Sequence, residues 1–216
     1  MNSDLRGMWR WQVPVIPAMY FGPVDLYRVL ARHTHAVVDT GEHYERQSYR
    51  TRTSIVGANG VQDLVVQIAR RSGEKMPMRE VRLSYAETWP AQHMHAIRSA
   101  YGKTPWYIHF EDGLKSMLHT GHGSLVELDL TTMHMCLRWA GIRCELQVIE
   151  QYIPPEEIMP GLDLRQGHHP KRPIPPALGD TPVYPQVFSD RHGFVPRMSM
   201  IDLLCNAGPA TAVYLR

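Results

Sequence analysis

The sequence predicts a single α/β domain: a Rossmann-like core with an inserted β-hairpin, wrapped by a proline-rich C-terminal arm. Three observations lead there. A strand–loop–helix–strand unit near the N-terminus implies a parallel pairing with a right-handed crossover. A run of period-two alternation around Arg50 and Arg52 follows and reads as a hairpin. Beyond the middle of the chain proline becomes dense and helical periodicity stops, yet patterned sequence resumes near the C-terminus.

Residues 11–16 are apolar and suit a buried first strand, cut short by Pro14 and Pro17. Pro23 is tolerated in a first helical turn, and Leu26, Tyr27 and Leu30 follow at helical spacing. Ala36, Val37 and Val38 form the next strand, which ends in the carboxylate of Asp39. Over residues 48–55, Tyr49, Thr51, Thr53 and Ile55 alternate with Arg50, Arg52 and Ser54, which puts both arginines on one strand face. Asn59-Gly60 supplies the tight turn, and Leu64, Val66 and Ile68 return. Residues 70–77 read as a surface loop, and Val81, Leu83 and Tyr85 as another short strand.

Thr88 and Pro90 open a helix with His93, Ile97, Ala100 and Tyr101 along one face. Ser124 and Glu127 form a capping box before a second helix, striped by Val126, Leu130, Met133 and Leu137 and ended by Gly141. Residues 144–149 read as a strand, 154–185 as an extended arm, 199–206 as an apolar helix, and 212–215 as a closing strand or helix end. The division is a core at 1–150, an arm at 151–185 and a helical segment at 186–216 that packs back on the core.

The chain has 216 residues, enough to bury a proper core without disulfides. Lys and Arg number 23 against 21 Asp and Glu, a formal charge of +2. That balance argues against a nucleic-acid coat or a basic membrane anchor. No apolar run approaches the ~18 residues of a spanning helix, and the first residues do not resemble a secretory signal. Cys136, Cys144 and Cys205 form no CxxC pair, which suits a reduced, cytoplasmic protein.

Arg50 and Arg52 together could grip a phosphate or carboxylate bidentately; the alternative is an exposed face whose arginines meet water, Glu42 or Glu45. His93 is the candidate for acid–base work, lying one turn after Trp89 on the face that carries Tyr101; the alternative is a core histidine bonded to a carbonyl. His93 and His95 point to different sides of a helix and make poor partners for one metal ion, and no metal-ligand set is assigned. His168-His169 lies in the arm without carboxylates at a telling spacing. Asp39 ends a parallel strand, where open α/β sheets bind ligands, so it could orient a ribose or an amine; a turn aspartate is the alternative. Cys205 sits in an apolar helix, where an inert thiol is the usual state. The GxGxxG, P-loop and GxSxG fingerprints are absent.

Ordered blocks of sequence resemble the WbqC-like family. They include Pro17-Ala18-Met19-Tyr20-Phe21, His43-Tyr44-Glu45-Arg46-Gln47-Ser48-Tyr49-Arg50-Thr51-Arg52, Gly57-Ala58-Asn59-Gly60, and Trp89 through His93 to Ser99-Ala100-Tyr101. They continue through Thr104-Pro105, Glu111-Asp112, His169-Pro170-Lys171 and Gln186-Val187-Phe188 to His192-Gly193-Phe194-Val195-Pro196 and Asp202-Leu203-Leu204. The chain departs from the family's usual residues at Thr51, Met94, Arg197 and Cys205, which points to a different substrate and away from a cysteine nucleophile.

The resemblance implies a biosynthetic protein of the surface-sugar or natural-product kind that forms an amide or ester from an activated acyl group. Arg50 and Arg52 would then hold the phosphates of ATP (with magnesium) or of a nucleotide-activated substrate. His93 would be the general base, Asp39 would orient an amine or ribose, Gln12, Tyr20, Trp89 and Tyr101 would line the pocket, and Ser199 and Asp202 would close it. The competing expectations are an acyl transfer from coenzyme A, a carrier protein or aminoacyl-tRNA, and a non-catalytic module of a biosynthetic complex.

Overall fold

The computed structural model describes residues 9–69, 75–167, 169–170, 172, 179 and 181–216. Its centre is a three-stranded parallel sheet in the order β1 (Val15–Ile16), β2 (His35–Asp39), β5 (Glu145–Ile149). Val15 pairs with Val37, and the whole of β2 pairs in register with β5, His35 opposite Glu145 and Asp39 opposite Ile149. Helix α1 (Val24–Leu30) makes the crossover between β1 and β2, with Pro23 at its N-cap. The parallel unit expected from the first forty residues is therefore present. The fold is mixed α/β, and its parallel sheet has three strands.

The hairpin is β3 (Arg52–Gly57) with β4 (Gly60–Val65), joined at Gly57 and Gly60. It starts at Arg52, later than the alternation suggested. The backbone turns at residues 48–51, where the Thr51 amide donates to the Ser48 carbonyl at 3.2 Å. Arg50 thus lies in the turn, so the two arginines do not share a strand face. The strand expected around Val81 is absent: Leu83 and Arg82 make only single bridges, to Ile68 and Ser124.

Three helices follow: α2 (Trp89–Tyr101), α3 (Ile108–His119) and α4 (Leu125–Ala140). The hydroxyl of Ser124 accepts the Glu127 amide, and Glu127 accepts the Gly123 amide in return, so α4 starts at the expected capping box. Gly141 ends it at φ 67°, a left-handed conformation open to glycine. Helix α3 went unrecognised between them; it buries Phe110, Leu114, Met117 and Leu118.

Residues 157–164 run beside the start of the chain, bridging Trp11 to Ile158 and Val15 to Asp163. That much of the arm is wrapped on the domain, with a turn at residues 159–162; residues 168, 171, 173–178 and 180 lie outside the described set, as do 70–74 of the expected surface loop. Beyond the arm come α5 (Ser189–His192), α6 (Met200–Ala207) and α7 (Thr211–Tyr214). Helix α6 packs back against α1, α2, α4 and β3. Among the described residues no helix is long and apolar enough to cross a membrane.

One buried peptide ties the layers together. Phe21 follows β1 with φ 42°, a strained angle for a residue with a side chain. Its amide donates to the Thr132 hydroxyl of α4 at 3.0 Å, and its carbonyl accepts from Thr53 of β3 at 2.8 Å and Ser199 at 3.0 Å.

Candidate functional site at the carboxyl edge of the sheet

Parallel strands end on the same side, so the loops after β1, β2 and β5 share one edge of the sheet. Ligands of open α/β sheets bind at such edges. Here the edge carries a buried ionic cluster beneath a cleft.

Asp39, at the end of β2, anchors the cluster. One carboxylate oxygen accepts the amides of Gly41 and Glu42 at 2.9 and 3.1 Å. The other accepts the Ile153 amide at 3.2 Å and the Arg165 guanidinium at 2.6 Å. Four donors fill its lone pairs, and Asp39 thereby fastens two loops and the arm. Arg165 also grips Asp163 through Nε and Nη2, at 2.9 and 2.6 Å.

Arg50 is 1% exposed and chelated by Glu42, Nε and Nη2 reaching the two carboxylate oxygens at 2.8 and 2.7 Å. Nη2 also donates to the Arg165 carbonyl at 3.3 Å. Burial raises the pKa of Glu42, and the Arg50 charge opposes that rise. Arg52 lies elsewhere, on the hairpin, paired with Asp63 at 3.0 Å. The two guanidiniums are held by different carboxylates and form no common clamp. Arg172 of the arm closes over the cluster through Glu45 at 2.5 Å.

The cleft above is about 450 Å³ and is lined by Gly41, Pro77, Arg79, Glu150, Gln151 and Tyr152. Gly41 is required by close approach: a Cβ there would come within 2.2 Å of the Tyr152 amide nitrogen. Arg79 is 42% exposed, steadied by the Glu150 carbonyl at 2.6 Å. The Tyr152 ring is 52% exposed and lies 5.1 Å from the Arg165 guanidinium. Neither Arg79 nor Tyr152 stood out in the sequence, because neither belongs to a motif.

Tyr20, Trp89 and His93 do come together. The Trp89 and His93 rings are 5.1 Å apart, and the Tyr20 hydroxyl is 2.9 Å from His93 Nδ1. The imidazole is 4% exposed, and its other side faces the Val65 carbonyl. Burial lowers its pKa to about 4, so it is neutral at pH 7. A neutral ring that donates to Val65 and accepts from Tyr20 has both nitrogens occupied. This geometry holds the His93 ring between the Tyr20 hydroxyl and the Val65 carbonyl.

Tyr101 and Asp202 also meet, at 2.7 Å, but in a different network. The other Asp202 oxygen accepts from Tyr184 at 2.6 Å and Gln186 at 2.9 Å, which pins the end of the arm and the residue after it to α6. Ser199 caps α6 through the Ile201 amide. Gln12 is exposed on the segment before β1. Cys205 is fully buried and burial raises its pKa, the state of an inert thiol. Among the described residues, no group of three or more His, Cys, Asp and Glu side chains could hold a metal ion.

A model of the WbqC-like protein family matches residues 18–160, well over half of the chain. The chain belongs to this family. The match covers the loops after β1 and β2 and ends soon after β5, so the edge cluster falls within it apart from its partners in the arm. The later blocks, from His169 onward, lie outside the matched span. No curated protein and no solved structure matches the chain.

Proposed function

We propose that this WbqC-like protein is a biosynthetic enzyme that forms an amide or ester on a small molecule or amino sugar from a nucleotide- or phosphate-bearing acyl group. Family membership supports a role in biosynthesis. The observation that carries the rest is the cleft at the carboxyl edge, with a half-exposed cation at Arg79 beside an exposed ring at Tyr152. A nucleotide offers a flat base to the ring, a contact of about 1–3 kcal/mol, and phosphate oxygens to the guanidinium. Arg79 thus takes the phosphate role that the sequence suggested for Arg50 and Arg52. In this reading the three strands are the centre of a short Rossmann-like core, with its ligand at the usual edge.

A thermal-shift screen with ATP and magnesium, nucleotide sugars and coenzyme A tests the proposal, since a ligand that binds only the folded state raises the melting temperature. A shift with ATP or a nucleotide sugar that is lost in Arg79→Ala is expected. A shift with coenzyme A alone moves the reading to carrier-dependent acyl transfer. No shift with any of the three overturns the enzyme reading in favour of a binding module.

A further inference from the structure

The two edges of the parallel sheet differ. Outside β1 the arm runs alongside, bridging Val15 to Asp163. Outside β5, among the described residues, no strand or bridge is paired. The hydrogen bonds of β5 fix which of its groups face out. Glu145 donates its amide to the Thr34 carbonyl at 2.9 Å, and Ile149 accepts the Thr40 amide at 2.8 Å. Glu145, Gln147 and Ile149 thus turn their backbone toward β2. Leu146 and Val148, the alternate residues, each hold an N–H and a C=O toward the open edge. Val148 is also 40% exposed. Folds usually blunt such an edge with lysine, proline, a bulge or a covering segment. The five residues of β5, Glu145-Leu146-Gln147-Val148-Ile149, include neither lysine nor proline, and they pair with β2 without a bulge.

We propose that β5 pairs antiparallel with β5 of a second copy of this chain, joining two three-stranded sheets into one across a two-fold axis. A two-fold contact uses the same patch on both copies, so the strand must complement itself. Centred on Gln147, it does. Leu146 exchanges both backbone hydrogen bonds with the partner subunit's Val148, and Val148 does the same with the partner subunit's Leu146. A register centred on Leu146 or on Val148 keeps only one such exchange within the strand. Gln147 falls on the axis, in a pair without backbone bonds, where facing side chains come closest. A carboxamide both donates and accepts, so two of them bond each other; a charge there would meet its like. The charge within the strand, Glu145, faces the partner subunit's Ile149 instead of its own copy. Just beyond the strand, exposed Arg143 comes beside the partner subunit's exposed Glu150, so opposite charges meet at both ends of the pair. Glu150 also lines the cleft at the carboxyl edge, and each cleft gains the partner subunit's Arg143 at its rim. The pairing stands on the strand edge and does not depend on what the cleft binds.

Sedimentation equilibrium of the intact protein, from micromolar to millimolar concentration, tests the pairing. A reversible dimer is expected. Val148→Pro removes an outward N–H and no bond to β2, so it should abolish the dimer with an unchanged far-UV circular dichroism spectrum. Gln147→Lys and Gln147→Glu leave the backbone alone. Each sets like charges against one another on the axis and should weaken the dimer at least about tenfold at low salt. Mixed in equal amounts, the two variants should associate again with opposite charges facing, because this register sets position 147 against itself. A chain that stays monomeric overturns the proposal, whether water or a strand of another protein covers the edge. A dimer that both Gln147 variants leave intact overturns it too, as does one lost in both and not recovered on mixing. These outcomes decide the matter even if Val148→Pro does not fold.

Discussion

His93→Gln separates a ring that is part of the scaffold from one that exchanges protons with a substrate. In the folded protein burial lowers the imidazole pKa from 6.5 to about 4. Above about pH 6.5 the ring is neutral in both folded and unfolded chains, and it adds no pH dependence. Between pH 6.5 and 4 the unfolded chain takes up a proton that the native ring refuses, so stability falls as pH falls. The full span is about 3 kcal/mol, and about 2 kcal/mol of it is lost by pH 5. Urea denaturation from pH 8 to 4.5 measures this. Glutamine can accept from Tyr20 or donate to Val65 but does not titrate, so at pH 8 the variant should be only about 1 kcal/mol less stable. The gap between wild type and variant should then close, and reverse, as the solution is acidified. Contributions common to both proteins cancel in the difference. Parallel stability curves would refute the buried, neutral imidazole. A fall in turnover of about 10²–10⁴-fold in a stable variant would assign it the general-base role.

Glu42→Ala leaves the Arg50 guanidinium buried without its chelating partner and should cost about 3–5 kcal/mol in denaturant unfolding; adding Arg50→Met should recover much of that loss. Arg52→Ala breaks a partly exposed pair with Asp63 and should cost no more than about 1 kcal/mol, with nucleotide affinity unchanged by calorimetry. Cys205 should resist iodoacetamide at pH 8 in the native protein and react once the chain is unfolded, and Cys205→Ala should retain turnover.

What the sequence disclosed was whatever its own neighbours encode. The parallel unit through Asp39, the Ser124–Glu127 box, the Gly141 stop and the Gly60 turn all follow from short-range patterns, and all are present. Helix α3 was missed even though Phe110, Leu114, Met117 and Leu118 recur at helical spacing. Its N-cap, Tyr107, offers no side-chain bond to mark a start. Arg50 was placed by alternation, which says nothing of a turn that rotates it toward Glu42. Trp89, His93 and Tyr20 meet in the structure, whereas the occupancy of both imidazole nitrogens is a property of packing that no local pattern carries.

The strained peptide of Phe21 sets a timetable for the chain as it is made. Its three hydroxyl partners lie 32, 111 and 178 residues further on. Contacts this distant close the largest loops and form late. On the ribosome the turn after β1 has to wait, without the Ser199 bond, until that residue has emerged. The carboxyl edge that follows β1 is therefore assembled last although it is synthesised first. Truncation before residue 199 should leave the parallel unit without a finished edge, and ligand binding should appear only in chains that extend past Ser199.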